Sequence, residues 1–181
     1  MAYEMIVLDL DDTLLTSDHT ISPKTKQSLL DAQRRGKKVV LASGRPTYAM
    51  IDLAKELELA RYGSYILSFN GASIIDCKTN ESLFSSTLLP ETVHRLYDLS
   101  KRENIDIHTY VGHEIFTERA NEFSTIEGEL TGMDVITVPD FKAAITEPVV
   151  KCLMLAEENR LAEVELKLQL ELAGELAVAR S

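Results

Sequence analysis

Short apolar runs alternate with segments of helical spacing along the first 70 residues of the chain. The runs predict buried strands, because each is bounded by polar or turn-forming residues. The predicted strands are residues 4–10, KKVVLA at 37–42 and SYILSF at 64–69. The segments between them predict two helices. The resulting β-α-β-α-β order implies a parallel sheet with right-handed crossovers.

The first of these two helices carries clear boundary signals. Ser22 is placed as an N-cap, Pro23 occupies the first helical position, and Gly36 follows two arginines at the end. The second helix is predicted over residues 46–59, where apolar positions recur at helical spacing.

The order of elements changes after the sequence NGASIID at 70–76. Residues 73–86 predict a hairpin that turns through Thr79 and Asn80. The elements predicted beyond it are a helix at 90–103, paired strands at 105–111 and 113–118 with Gly112 at their turn, a helix at 119–130, strands at 133–138 and 149–156, and an amphipathic helix at 158–174. We therefore expect an α/β fold in two modules, residues 1–82 and residues 83–181.

Composition excludes several classes of protein. The net charge of -10 and the pI near 4.9 argue against a nucleic-acid or acidic-membrane partner, because phosphate backbones are bound through clustered Lys and Arg. No apolar run has the length of a membrane span and no signal peptide begins the chain, so we expect a cytoplasmic protein. Cys77 and Cys152 stand alone in the sequence, which favours reduced structural thiols.

Small or polar residues follow each of the first three predicted strands. These clusters are residues 9–13, residues 43–45, and Asn70 with Gly71. In open parallel sheets, ligands bind beyond the carboxyl ends of the strands. Three such clusters on one predicted edge therefore indicate a ligand site.

Asp9, Asp11 and Asp12 are concentrated at the end of the first strand. Two like charges about 4 Å apart repel by about 4 kcal/mol at an effective dielectric constant of 20. A solvated turn capped by Asp12 or Thr13 would explain two of the carboxylates, but not Asp9, which continues an apolar strand. A hard cation such as Mg2+ would relieve the repulsion.

The sequence DLDDT at 9–13 and its flanks resemble a known signature. DLDDT is similar to the DxDxT element of the haloacid dehalogenase-like (HAD) superfamily, and LASGRP and SFNGASI resemble later elements of its Cof-type sugar phosphatases. The resemblance runs through all 181 residues. It implies that residues 1–82 form the first half of a Rossmann-like core and residues 83–181 most of an α+β cap inserted after the third strand.

The resemblance also implies an activity, the Mg2+-dependent hydrolysis of small sugar phosphates. Asp9 would attack the phosphate to form an aspartyl phosphate, and Asp11 would protonate the leaving alcohol and then activate water. Asp9 and the backbone carbonyl of Asp11 would bind Mg2+. The groups implied to contact phosphate or substrate are Ser43, the backbone amides of Leu10 and Gly44, and the side chains of Arg45 and Asn70.

Two elements that follow in the family, a Lys and a G-D-x-x-N-D motif, have no counterpart in this sequence. We therefore expect a truncated enzyme with low activity on its own, whose first strand is an exposed edge that favours homo-oligomers. The main alternative is a non-catalytic phosphate-binding or regulatory fragment. A receiver domain would need an acceptor Asp where Asn70 stands, and a nucleotide-binding Rossmann domain would need a glycine-rich motif that does not occur.

Overall fold

A computed structural model describes residues 3–180 and divides the chain into two units, with the boundary between Ser86 and Thr87. The first unit contains β1 (Met5–Leu8), α1 (Pro23–Arg34), β2 (Lys38–Ala42), α2 (Thr47–Glu56), α3 (Leu59–Tyr62), β3 (Tyr65–Ser68), β4 (Ser73–Asp76) and β5 (Ser82–Ser85). The sequence prediction placed the module boundary after residue 82. In the structure the second strand of the hairpin belongs wholly to the first unit.

The strands of the first unit form one sheet in the order β1-β2-β3-β4-β5. The first three strands are parallel, as predicted, and the hairpin adds β4 and β5 in antiparallel pairing. The carboxyl ends of β1, β2 and β3 therefore lie at one edge of the sheet.

A local signal sets the start of the first predicted helix, whereas buried leucines set the end of the second. Ser22 caps α1 by accepting a hydrogen bond from the backbone N–H of Thr25, at 3.2 Å. The predicted second helix is interrupted, because Glu58 adopts the left-handed conformation with φ +54° between α2 and α3. Leu57 and Leu59 on either side of this break are fully buried. Burial of both leucines outweighs the strain at Glu58.

β1 is an edge strand, and alternate apolar side chains along it lie in solvent. Met5 is 48% and Val7 is 55% exposed, and β2 is the only described strand that pairs with β1. An exposed apolar edge strand favours pairing with another chain.

We expect the protein to self-associate with rising concentration in sedimentation velocity, and Val7→Lys to abolish this association. Leu170→Lys, which places the same charge on an exposed helix, should leave association unchanged. A wild-type chain that sediments as a monomer at all concentrations would contradict this expectation.

The second unit contains α4 (Pro90–Arg102), β6 (Asp106–Val111), β7 (Glu114–Thr117), α5 (Glu122–Thr131), β8 (Asp134–Thr137), α6 (Phe141–Ala144), β9 (Cys152–Leu155) and α7 (Glu158–Glu171). Its sheet has the order β8-β7-β6-β9. The predicted hairpin with Gly112 at its turn is confirmed, since β6 and β7 are antiparallel and Gly112 has φ +59°. The four-residue helix α6 was not predicted.

No helix among residues 3–180 is long and apolar enough to cross a membrane.

Both cysteines are free thiols. Burial is the main cause that raises the pKa of Cys77 and of Cys152 to about 11. Thiols with such a raised pKa stay protonated near neutral pH and react slowly, in agreement with the predicted structural role.

His108 on β6 is fully buried, and within residues 3–180 neither ring nitrogen has a hydrogen-bond partner. Burial, with a smaller contribution from the charge of Lys151, lowers the pKa of His108 to about 4. In the unfolded chain His108 binds a proton below about pH 6.5, whereas in the folded chain it stays neutral down to about pH 4. This contribution to stability is therefore complete above pH 6.5 and is lost as the pH falls toward 4.

We expect His108 to account for about 3 kcal/mol of lost unfolding free energy between pH 7.5 and pH 4. His108→Phe should remove this part of the pH dependence, because Phe fills the same buried position and does not titrate. Urea unfolding at the two pH values measures the difference. If wild type and His108→Phe lose the same unfolding free energy between pH 7.5 and pH 4, His108 is not the cause of the loss.

Candidate active site

The acidic residues lie on a turn that follows β1. Asp9, Asp11 and Asp12 are all exposed, whereas Leu10 and Leu14 between and after them are buried. The backbone N–H of Leu14 donates to the carbonyl of Asp9 at 3.2 Å, and Asp12 adopts φ +56°. Burial of the two leucines anchors the turn and directs the three carboxylates toward solvent.

The residues after β2 are held by hydrogen bonds to the residues after β3. Ser43 is 8% exposed, and its backbone N–H donates to the carbonyl of Leu67 at 2.9 Å. The Ser43 hydroxyl accepts from the backbone N–H of Arg45 at 3.1 Å, and the Ser43 carbonyl accepts from the backbone N–H of Asn70 at 3.0 Å. The second and third predicted clusters are therefore in direct contact.

Backbone strain marks the end of β3. Phe69 and Asn70 are consecutive residues with φ of +51° and +58°. Such conformations cost about 1–3 kcal/mol each and persist only where surrounding contacts enforce them. Two such contacts are the hydrogen bond from Phe69 N–H to the Arg45 carbonyl, at 3.0 Å, and the close approach of Asn70 to Gly44. A Cβ at Gly44 would lie 3.2 Å from Asn70 Nδ2, a tight contact that the Asn70 side chain would have to relieve by a small shift.

The first and second clusters meet through an ion pair. Arg45 Nη2 donates to Asp11 Oδ1 at 2.6 Å, and Arg45 Nε donates to Asp11 Oδ2 at 3.0 Å. His19 Nδ1 also lies 4.0 Å from Asp11 Oδ1. His19 has φ +54° in the turn between Leu15 and Ile21, which form an isolated antiparallel bridge. Sequence reasoning missed His19, since no motif distinguishes it.

Contacts thus link all three predicted clusters at one edge of the sheet. Asp9 differs from Asp11, because within residues 3–180 no hydrogen bond or ion pair reaches the Asp9 carboxylate. The side chain of Leu10 lies in the core. Only its backbone amide can take part in binding. Among residues 3–180 the arrangement offers two carboxylates without a partner, Asp9 and Asp12, one carboxylate fixed by a guanidinium, Asp11, and a buried serine.

The donors at this edge fit part of a magnesium shell. Mg2+ is commonly bound by one or two carboxylates, with water and substrate phosphate completing the shell. The exposed and unpaired Asp9 carboxylate is a donor of this type. Residues 3–180 contain no group of three or more His, Cys, Asp or Glu side chains placed to hold a metal ion.

The first unit is an α/β fold whose three parallel strands end at an acidic edge, and an α+β unit follows it in the chain. The chain belongs to the haloacid dehalogenase-like hydrolase family, whose model matches residues 6–181. A haloacid dehalogenase-like hydrolase from Bacteroides thetaiotaomicron, known from its crystal structure, is 39% identical with a TM-score of 0.91. The match covers 99% of this chain and 68% of that one. The family and the α/β fold expected from the sequence are thereby confirmed.

Two curated relatives carry phosphatase names. A Streptococcus pyogenes serotype M6 protein with a provisional phosphatase name is 27% identical over 164 residues, which cover 89% of this chain and 60% of that protein. The 5-amino-6-(5-phospho-D-ribitylamino)uracil phosphatase YitU of Bacillus subtilis is 28% identical over 157 residues, which cover 86% of this chain and 57% of YitU. The chain therefore spans less than two thirds of the length of either relative.

Proposed function

We propose that this protein hydrolyses phosphate monoesters through an aspartyl phosphate formed on Asp9. The observation that carries the proposal is the pair of aspartates beyond β1. Asp9 is exposed and has no partner within residues 3–180, as a nucleophile requires, while Asp11 two residues later is fixed by Arg45. Carboxylates serve as covalent nucleophiles in phosphoryl transfer.

The reaction proceeds in two steps. Asp11 gives up a proton in the first step and regains one in the second. In the first, an Asp9 oxygen bonds to phosphorus while the bond from phosphorus to the alcohol oxygen breaks, and protonated Asp11 gives its proton to that oxygen. In the second, Asp11 takes a proton from water as the water oxygen attacks phosphorus. The acyl phosphate bond then breaks and frees inorganic phosphate and the Asp9 carboxylate. A positioned acid and base contributes about 10²–10⁴-fold to the rate.

The remaining groups at the edge are proposed to bind the substrate. Ser43 is suited to this role because hydrogen bonds hold it rigidly, and rigid donors stabilise developing charge best. The proposed phosphate-binding or substrate-binding groups are the Ser43 hydroxyl, the backbone amides of Leu10 and Gly44, and the side chains of Asn70 and Arg45.

The Asp9 carboxylate and the backbone carbonyl of Asp11 are the proposed magnesium ligands. When bound, Mg2+ would neutralise charge on the phosphate and on the acidic turn. This compensation matters in a chain with a net charge of -10, which otherwise repels an anionic substrate.

We propose small sugar phosphates as the substrate class. The name of YitU describes a phosphorylated ribityl group, which is a phosphate monoester of a sugar alcohol. This relationship, together with the Cof-type sequence elements, supports a Cof-type sugar phosphatase.

A second candidate is a non-catalytic phosphate-binding role. The absence of a three-ligand metal group within residues 3–180 favours it. The discriminating experiment measures inorganic phosphate released from a panel of sugar phosphates, with Mg2+ and with chelator. Mg2+-dependent release supports the enzyme. Calorimetric binding of phosphate without any release supports the binding role.

A further inference from the structure

The Asp11 carboxylate is held in one orientation by Arg45. Its two oxygens accept from two different nitrogens of a single guanidinium, Nη2 at 2.6 Å and Nε at 3.0 Å. Such a two-point contact fixes the plane of the carboxylate as well as its position, which a Lys could not do. A lone aspartate in an exposed turn would instead sample several rotamers.

Hydrogen bonds on both sides hold the backbone of Arg45. Its backbone N–H donates to the Ser43 hydroxyl, and its carbonyl accepts from Phe69 N–H. Its side chain is only 17% exposed, against 49% for that of Asp11. This pair therefore differs from a flexible surface ion pair, because the cation is supported by the folded loops after β2 and β3.

We propose that Arg45 is a positioning residue, which orients Asp11 for proton transfer to and from the reacting oxygens. This inference rests on the proposed phosphatase function, and it replaces the substrate contact proposed there for the Arg45 side chain with a contact to Asp11. Because one edge of the guanidinium is committed to Asp11, phosphate would have to displace a carboxylate to use that edge. Arg45 thus acts on the reaction through Asp11, and phosphate binding falls to Ser43 and the backbone amides.

Substrates with different leaving groups distinguish a role of Arg45 in positioning Asp11 from a role in binding phosphate. An alkyl phosphate such as glycerol 3-phosphate needs a proton on its departing oxygen, whereas 4-nitrophenyl phosphate releases a stable phenolate. Misplacing a catalytic group by about 1 Å can cost about 10²-fold. We therefore expect Arg45→Ala to slow the first step, measured as release of the alcohol or phenol in a single turnover, about 10²-fold for the alkyl ester and only a few-fold for the aryl ester, with little change in KM. The second step, in which Asp11 activates water, is common to both esters and should slow equally for both.

Two further variants sharpen the kinetic test. Arg45→Lys should rescue little, because an ammonium cannot fix both oxygens of Asp11. Arg45→Ala added to Asp11→Asn should cost almost nothing more, since both remove the same function. An equal rise in KM for both esters in Arg45→Ala, restored by Arg45→Lys, would show a phosphate-binding residue and overturn the proposal.

A measurement that needs no turnover tests the contact itself. In the full chain, the ¹⁵N-detected Nε–H of Arg45 should exchange slowly with water, and Asp11→Ala should speed this exchange about tenfold or more. Saturating inorganic phosphate should leave the signal of the wild type in place. A signal that responds to phosphate and ignores Asp11→Ala would refute the positioning role. If the signal behaves as expected and no form of the chain releases phosphate, the proposed function fails while the orientation of Asp11 by Arg45 stands.

Discussion

Asp9→Asn is expected to lower phosphate release by on the order of 10⁴-fold or more, the loss typical of removing a catalytic nucleophile. The amide has nearly the same shape as the carboxylate, and Asp9 is exposed without a partner in residues 3–180, so the fold should persist. An amide cannot form the acyl phosphate. Trapping of beryllium fluoride, which mimics that intermediate, should therefore disappear together with turnover.

Asp12→Asn provides the matched control. It removes the same charge three residues away, at an exposed position with φ +56°, a conformation that Asn tolerates well. We expect this variant to retain wild-type turnover. Phosphate release and beryllium fluoride binding should be measured on the most active form of the chain. Full turnover by Asp9→Asn would exclude the aspartyl-phosphate mechanism.

Adding the part of the Bacteroides thetaiotaomicron relative that lies outside the match, which covers 68% of that chain, is expected to raise Mg2+-dependent hydrolysis by about 10³-fold or more. The family resemblance implies that such a segment supplies a Lys and further metal carboxylates. One hydrogen-bond donor aimed at the charge that develops in the transition state lowers the activation free energy by about 2.7–4 kcal/mol. A bound metal ion lowers it by several kcal/mol more. Asp9, Asp11 and Ser43 are already assembled at the edge of the first unit.

The fusion needs controls for folding and for the source of activity. A cooperative melt establishes that the fusion folds, and Asp9→Asn in the fused chain should abolish the gain. Chelator should abolish it independently. A regulatory fragment would bind inorganic phosphate equally well with and without the segment and would stay inert. A folded fusion that releases no phosphate from a broad sugar-phosphate panel would favour that binding role.

Features set by neighbouring residues were predictable from the sequence. The cap at Ser22, the three parallel strands and the turn at Gly112 each depend on local patterns, and all are confirmed. The common edge of the three clusters followed from the parallel order of the strands. The break at Glu58 was not predictable, because it results from the burial of leucines against distant parts of the core.

The arrangement of the site depended on contacts that sequence patterns do not encode. Arg45 and Asp11 are 34 positions apart, and nothing in either motif indicates that one would fix the other. The left-handed backbone at Phe69 likewise has no sequence signal, because a bulky residue rarely adopts it. The residue types were therefore identifiable from the sequence, whereas their division into unpaired and held carboxylates required the structure.

The strand order β1-β2-β3-β4-β5 has a consequence for how the first unit is made on the ribosome. Each strand pairs with the one synthesised just before it, so no strand has to wait for a partner encoded much later in the chain. Domains fold as units during synthesis at about 5–20 residues per second. The acidic edge, whose residues all precede position 72, is therefore complete for several seconds while the second unit is still being translated.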